Sequence, residues 1–284
     1  MISHDFDYHA PTTIADAVAL LSRYGERSAV VGGGTWLIPN MTYGAQRPEV
    51  VIDAKRLQLD RIFEDGDDIV VGARASYGHV ASSGLIRANV ELLAVMSSGI
   101  TGGPQIVRQG TLGGSACYGN PSSDVPACLV ALNARLRLCS AAGRRDVAAS
   151  EFFLAPFVTA RRPDEILTEI RLPKQAGSVR TGYYKLKFST GSWPIVTAAC
   201  LAEPAGAGHF ALRIAIGGAN AIPVSFETQA PAQPRADDLA GITVGVGDLI
   251  ISEVSDEFAG SGYRRTVAPS IVIRAIRMAI QGDH

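Results

Sequence analysis

The stretch AVVGGGTWLIP (residues 29–39) sets Gly32, Gly33 and Gly34 directly behind a β-branched run and follows them with Thr35 and Trp36. Three adjacent glycines carry an entropic cost, so they mark a place where the backbone turns with positive φ or lets another group approach closely. A strand that empties into such a loop points to a bound phosphate. A P-loop would follow the glycines with Lys and then Ser or Thr. Here Trp36, Leu37 and Ile38 follow Thr35, and the next lysine is Lys55, so that signature is excluded. A dinucleotide-binding turn reads G-x-G-x-x-G, with an acidic residue about twenty positions on. Gly32 and Gly34 fit, Leu37 stands at the missing third glycine, and Asp53 ends the strand-like PEVVIDA. The alternative for this stretch is a tight glycine turn between two strands.

The chain has 284 residues, 47% of them hydrophobic, with 30 glycines, which describes a core-forming, turn-rich protein of one large or two modest domains. A net charge of −1 leaves no electrostatic footprint for nucleic acid or an anionic membrane. No apolar run approaches the ~20 residues of a membrane span. The opening MISHDFDYHAPTT lacks the basic and apolar regions of a secretory signal, so a cytoplasmic location is expected. The cysteines, Cys117, Cys128, Cys139 and Cys200, form no C-x-x-C, and the five histidines form no H-E-x-x-H. Neither iron–sulfur nor zinc ligation has the spacing it needs, so no metal site is assigned to this chain.

Outward from the first glycines, Thr13 and Asp16 form a capping-box pattern for a helix carrying Ile14, Ala17, Val18 and Leu21 on one face. SAVVGGG, PEVVIDA and DIVVGARA read as short strands, in an α+β arrangement without regular βαβ alternation. LLAVMSSGI reads as helix, ARLRLCSA and DEILTEIRLP as strands, and residues 174–180 as a polar boundary. Beyond it TGYYKLKFS, PIVTAACLAE and FALRIAIGGAN predict a three-stranded antiparallel sheet, and QAPAQPRADD a proline-rich loop. The terminal helix has Ile271, Val272, Ala275, Ile276 and Ala279 on one face, Arg274 and Arg277 opposite, and Pro269 where it should kink or restart.

A second glycine-rich segment, GGPQIVRQGTLGGSACYGNPSSDVPACLVAL, changes the weight of the first. Two such segments suit a long phosphate-bearing ligand gripped at two points. GTLGGS offers backbone N–H groups and the hydroxyls of Thr111 and Ser115, and NPSSD brings Asp124 near. Read singly, the hydroxyls are turn residues and Asp124 caps the helix that follows.

Together, AVVGGGTWLIPNM…RPEVVIDA and QIVRQGTLGGSACYGNPSSD resemble the two FAD loops of the medium subunits of molybdenum hydroxylases. That family includes the xanthine dehydrogenase, carbon monoxide dehydrogenase and N-heterocycle hydroxylase relatives. DEILTEIRLP, YYKLKFSTGSWPIV and the YRR helix fit as well. The resemblance covers nearly the whole chain. It implies a two-lobed FAD-binding domain of the vanillyl-alcohol-oxidase (PCMH) type over residues 1–175, then a smaller α+β domain over residues 176–284. It implies non-covalent FAD in this chain, with molybdopterin in a large partner subunit and two 2Fe–2S clusters in a small one. The assembly it implies is a dimer of heterotrimers in which electrons reach this FAD and leave to an external acceptor.

Carried over residue by residue, Gly32, Gly33, Gly34, Thr35 and Trp36 fall on the first loop. Gly110, Thr111, Gly113, Gly114, Ser115 and Cys117 fall on the second. Asp124 matches an acid at the adenosine end, Ile166 and Leu167 match positions against the isoalloxazine, and Lys185 matches a flavin-contacting lysine. Trp193 falls near the ring, with a core aromatic as its alternative reading. Trp36, Val107 and Ser115 depart from the family pattern, and Asp53 is assigned a structural role. No residue is assigned as catalytic. Other readings are a free-standing flavoenzyme of the same superfamily, such as an enolpyruvyl reductase, and a flavin-holding scaffold.

Overall fold

The computed structural model describes residues 2–252 and 254–282. The first lobe comprises β1 (Asp7–His9), α1 (Ile14–Tyr24), β2 (Ser28–Val31), α2 (Leu37–Thr42) and β3 (Val50–Asp53). Thr13 caps α1 as its sequence predicts: its hydroxyl accepts from the Asp16 N–H at 3.1 Å, and Ala17, Val18 and Leu21 are buried. Both β1 and β2 run parallel to β3, in the order β1-β3-β2. A local βαβ unit therefore exists where none was expected. The three-residue β1 is mostly exposed and carries no apolar run to announce it. Val50 and Ile52 pack toward α1 and Val51 toward α2, so both faces of this small parallel sheet are covered.

The second lobe begins with β4 (Ile62–Asp65) and β5 (Asp68–Gly72). A helical layer follows: α3 (Tyr77–Ser82), α4 (Gly84–Asn89), α5 (Glu91–Ser98), α6 (Gly103–Gln109), α7 (Leu112–Tyr118) and α8 (Asp124–Ala131). Then come β6 (Arg135–Ser140), β7 (Gly143–Ala148), α9 (Ala149–Phe152), the short hairpin β8 (Phe153–Ala155) and β9 (Val158–Thr159), and β10 (Ile166–Pro173). Five of these strands form an antiparallel sheet, β4-β5-β10-β6-β7. The second glycine segment is thus helical for most of its length, with Thr111 as N-cap of α7.

Strands β11 (Arg180–Lys187), β12 (Pro194–Pro204), β13 (His209–Gly217) and β14 (Val224–Pro231) make an antiparallel sheet of four, one more than expected. The added β14 lies at the edge and alternates half-buried with exposed residues, so it lacks the apolar density that marks its neighbours. Helices α10 (Ala236–Thr243), α11 (Val246–Leu249) and α12 (Ser261–Gln281) complete the chain. Alternation along β12 sends Ala198, Cys200 and Ala202 into a core shared with α12, and Ala199 and Leu201 into the core of the second lobe. α12 runs through Pro269 without restarting. Burial of Ile271, Val272, Ala275 and Ile276 on the sheet outweighs the roughly 3 kcal/mol that an internal proline costs. Among the described residues no helix is long and apolar enough to cross a membrane.

The entry to β10 is fixed by Glu165. Its carboxylate side chain is 1% exposed, yet it accepts from Arg145 Nε at 2.6 Å, Arg145 Nη2 at 2.8 Å and the Arg162 N–H at 2.7 Å. Burial alone would raise its pKa, but hydrogen bonds from Arg145 and Arg162 pull it from 4.5 down to about 2. A depressed carboxylate pKa stabilises the fold fully above the unfolded value and loses that contribution as pH falls toward the folded one. Glu165→Gln should therefore cost about 3 kcal/mol at neutral pH. The gap between wild type and variant should close between about pH 5 and pH 2. Urea unfolding across that range checks it; parallel pH slopes would contradict the assignment.

Candidate functional site

A cleft of ≈1010 Å³ opens where the two lobes and the four-stranded sheet converge. The loop from β2 to α2 reaches it with Gly32, Gly33, Gly34, Thr35 and Trp36, and the start of α7 with Thr111, Gly113, Gly114 and Ser115. The two segments abut. A Cβ on Gly33 would stand 1.7 Å from the Gln109 carbonyl oxygen, and one on Gly32 would stand 3.0 Å from Thr111 Oγ1. Gly33 is therefore required first by the seam between lobes, and Gly34 by its φ of +73°.

The backbone donors divide unevenly. At the head of α7, Leu112 N–H donates to Ala75 O, Gly113 N–H to Ala73 O, and Ser115 N–H to Thr111 O, while Gly114 N–H donates to the Thr111 hydroxyl at 3.1 Å. Those first donors are all engaged within the protein. The N–H groups of Gly33, Gly34, Thr35 and Trp36, in contrast, meet no acceptor among the described residues. Four consecutive unpaired donors at a cleft are an anion cradle. The second segment, read as a matching donor loop, instead braces the first. The Ser115 hydroxyl is bonded to the Tyr77 hydroxyl, whose pKa burial pushes up despite that bond.

Arg47, Arg74 and Arg161 also line the cleft, and no glycine pattern marks them in the sequence. Arg74 Nη1 donates to the Lys55 carbonyl at 3.2 Å, while its buried Nε has no partner among the described residues. Of the acids on the wall, Glu165 is neutralised by its arginines and Asp124 by Lys185, which leaves Glu26 against three arginines. The cleft is therefore positively biased around the cradle.

Asp124, at the start of α8 and 1% exposed, accepts from the Tyr183 hydroxyl at 2.6 Å and from Lys185 Nζ at 2.7 Å. Lys185 also donates to the Gly99 carbonyl at 2.6 Å. Burial beside Asp124 holds the Tyr183 phenol well above its ordinary pKa, so it remains a donor. The ion pair therefore sets Asp124 and Lys185 side by side, with only Asp124 on the cleft wall. Lys185 lies behind Asp124 rather than on the cleft wall, and Gly110 is absent from the wall as well, packed under the Tyr77 ring.

Ile166 and Leu167 line the cleft together with Ala54 and Leu59, and Ile166 packs into the core of the first lobe. Trp193 lines the cleft from the connection between β11 and β12 rather than from the strand of Lys185. At 43% exposure it is no core aromatic. Trp36 meets Tyr118 in a tilted contact with ring centroids 4.2 Å apart, and Tyr118 meets Phe157 at 5.1 Å, a ladder the sequence did not signal. The Cys117 thiol lines the cleft and burial pushes its pKa up, keeping it protonated. Asp53 accepts from the Tyr8 hydroxyl at 2.6 Å and from the Lys55 N–H at 2.9 Å, outside the cleft, in the structural role expected of it.

An elongated dianion fits this arrangement: free donors and arginines line the cleft together with the apolar Ile166 and Leu167 and with Asp124, which Lys185 pairs from behind. The family model for the FAD-binding domain in molybdopterin dehydrogenase matches residues 4–175. The chain is 32% identical to the carbon monoxide dehydrogenase medium chain of Hydrogenophaga pseudoflava, over 98% of each chain. It is 29% identical to the nicotine 6-hydroxylase medium subunit of Paenarthrobacter nicotinovorans, over 95% of each. A solved carbon monoxide dehydrogenase structure from Hydrogenophaga pseudoflava superimposes with a TM-score of 0.91 at 30% identity, over 99% of both chains. Quinoline 2-oxidoreductase from Pseudomonas putida 86, at 22% identity and a TM-score of 0.85, shares the fold. The chain belongs to the family of FAD-binding domains of molybdopterin dehydrogenases.

Proposed function

We propose that this chain is the FAD-bearing medium subunit of a heteromeric molybdenum hydroxylase, and that the four unpaired N–H groups of residues 33–36 carry that reading. FAD, when bound, supplies one- and two-electron redox chemistry that no side chain here provides. The residues of this chain bind it and set its surroundings. The free donors of the first loop hold the pyrophosphate, with Arg74 adding charge from the wall. Ile166 and Leu167, with Ala54 and Leu59 beside them, receive the flat apolar adenine end. Asp124, backed by Lys185, would serve the isoalloxazine, and exposed Trp193 would limit its access to solvent. The ion pair of Asp124 with Lys185 favours one end for both, where the sequence had set Asp124 at the adenosine end.

Substrate is hydroxylated at molybdopterin in a large partner subunit, and 2Fe–2S clusters in a small subunit deliver electrons to this chain, in a dimer of heterotrimers in the cytoplasm. The chain divides near residue 175, into the cofactor domain and the sheet that closes over the ring. The flavin is held without a covalent bond, since attachment needs a reactive thiol or imidazole and burial keeps Cys117 protonated. Acid precipitation releases all of it into the supernatant.

The two glycine segments answer differently to substitution. Gly33→Val forces a side chain into the Gln109 carbonyl, so it should lower the melting temperature and abolish flavin retention together. Gly114→Ala meets only the Thr111 hydroxyl, at 2.7 Å, so the fold should lose about 1 kcal/mol while flavin binding weakens. Flavin-to-protein ratio after gel filtration, read beside thermal unfolding, checks both. A Gly33→Val protein with full flavin and an unchanged melting point would contradict the seam.

Lys185 sets the electrostatics of the ring end, because positive charge there favours the reduced cofactor. Lys185→Met should lower its potential by on the order of 30 mV, equivalent to about 1.4 kcal/mol for a two-electron couple. Spectroelectrochemical titration measures it. An unchanged potential would place the ring elsewhere.

A further inference from the structure

Arg264, in the first turn of α12, is the largest fully buried side chain among the described residues. A guanidinium held out of water needs its charge and its N–H donors answered. Its Nη1 donates to the Ile195 carbonyl at 2.6 Å and to the Gly218 carbonyl at 2.7 Å, and its Nε to the Ala259 carbonyl at 3.2 Å. Its Nη2 lies 2.6 Å from Asp256 Oδ2, a close ion pair that is poorly aligned for a hydrogen bond. Two of these carbonyls belong to strand ends. The pairing of β12 with β13 runs as far as Thr197 and Gly217, and just past it Ile195 and Gly218 turn their carbonyls to the arginine. Gly218 has a φ of +77°, and a Cβ on it would stand 2.5 Å from the Ile195 carbonyl oxygen. Both strand ends therefore converge on one guanidinium nitrogen.

Trp193 stands two residues before Ile195 and lines the cleft, whereas Arg264 does not. Pro194 between them has a fixed φ and confines Trp193 to extended backbone, so the position of the Ile195 carbonyl passes to the indole with little slack. The rest of the connection is lightly held. Its turn closes on itself through Ser189 and Ser192, and the Thr101 hydroxyl reaches the Ser192 carbonyl only at 3.5 Å. Its outer end rests on the segment that grips the arginine: Phe188 stacks on Phe258 with centroids 5.8 Å apart, and the Phe258 N–H donates to Asp256 at 2.9 Å. We propose that Arg264, with Asp256 behind it, is the positioning residue for Trp193. It acts through the Ile195 carbonyl and fixes the indole at the cleft. The consequence, that this anchor sets how freely small solutes reach the cofactor, rests on the reading of Trp193 given above.

Time-resolved fluorescence anisotropy tests the anchor in the full chain carrying Trp36→Phe, where Trp193 is the one tryptophan left. Without FAD, Arg264→Met should raise the amplitude of sub-nanosecond indole motion about twofold. Arg264→Lys keeps a donor for the two carbonyls and should fall between. Asp256→Asn keeps the acceptor of its turn and removes only the charge facing Arg264. It should give a smaller rise, and it carries the test if Arg264→Met fails to fold. Leu212→Ala truncates the same core beside Ala202, at the far end of the β12–β13 ladder. It should lower the melting temperature and leave the indole motion unchanged. Indole motion unchanged in the Arg264 and Asp256 variants, or raised as much by Leu212→Ala, would overturn the proposal. Reoxidation of the dithionite-reduced, FAD-loaded chain by dioxygen is read separately. Arg264→Met and Trp193→Ala should each speed it about threefold, and the double variant no further. Freer indole motion in Arg264→Met beside an unchanged rate in Trp193→Ala would keep the anchor and sink the placement of Trp193 over the ring.

Discussion

The seam at Gly33, where the first lobe lies directly on the Gln109 carbonyl, is the constraint on which the rest of the site depends. Any side chain there would separate the lobes, and with them a run of four unpaired backbone donors at the cleft. The loop can leave four N–H groups unbonded because α7 braces it from behind, having satisfied its own donors with Ala73, Ala75 and Thr111. These half-buried donors face the cleft, where an anion can take them up, so cofactor and lobe packing are coupled through one loop.

The glycine segments, the capped first helix, the β-branched strands and the amphipathic last helix were all legible, because each is written in local spacing or turn chemistry. What escaped the sequence was decided between segments. β1 and β14 owe their existence to neighbours rather than to their own apolar content. Pro269 stays inside α12 because the sheet beneath that helix dominates. The second glycine segment reads as a loop by composition and folds as helix, since the Thr111 hydroxyl and the Ala73 and Ala75 carbonyls give its N–H groups partners that composition does not reveal.

The candidate site divides the same way. Residues 32–36 and 113–115 could be named from motif alone, but their division of labour could not. Asp124 and Lys185 were both singled out, yet only the fold brings them to 2.7 Å and so assigns them to one end. The arginines, and the ladder of Trp36, Tyr118 and Phe157, come from strand ends and loops without a spacing rule. The four-stranded sheet is tied to the cofactor domain through the buried Tyr183, Ala199 and Leu201.

The central claim is that the first loop, rather than the head of α7, provides free backbone donors for the pyrophosphate. Amide hydrogen exchange at residue resolution, on the full chain with and without FAD, tests it most directly. Gly33, Gly34, Thr35 and Trp36 should gain strong protection on cofactor binding, while Leu112, Gly113, Gly114 and Ser115, already bonded, should be protected in both states. Protection gained at residues 112–115, with residues 33–36 unchanged, would contradict the account.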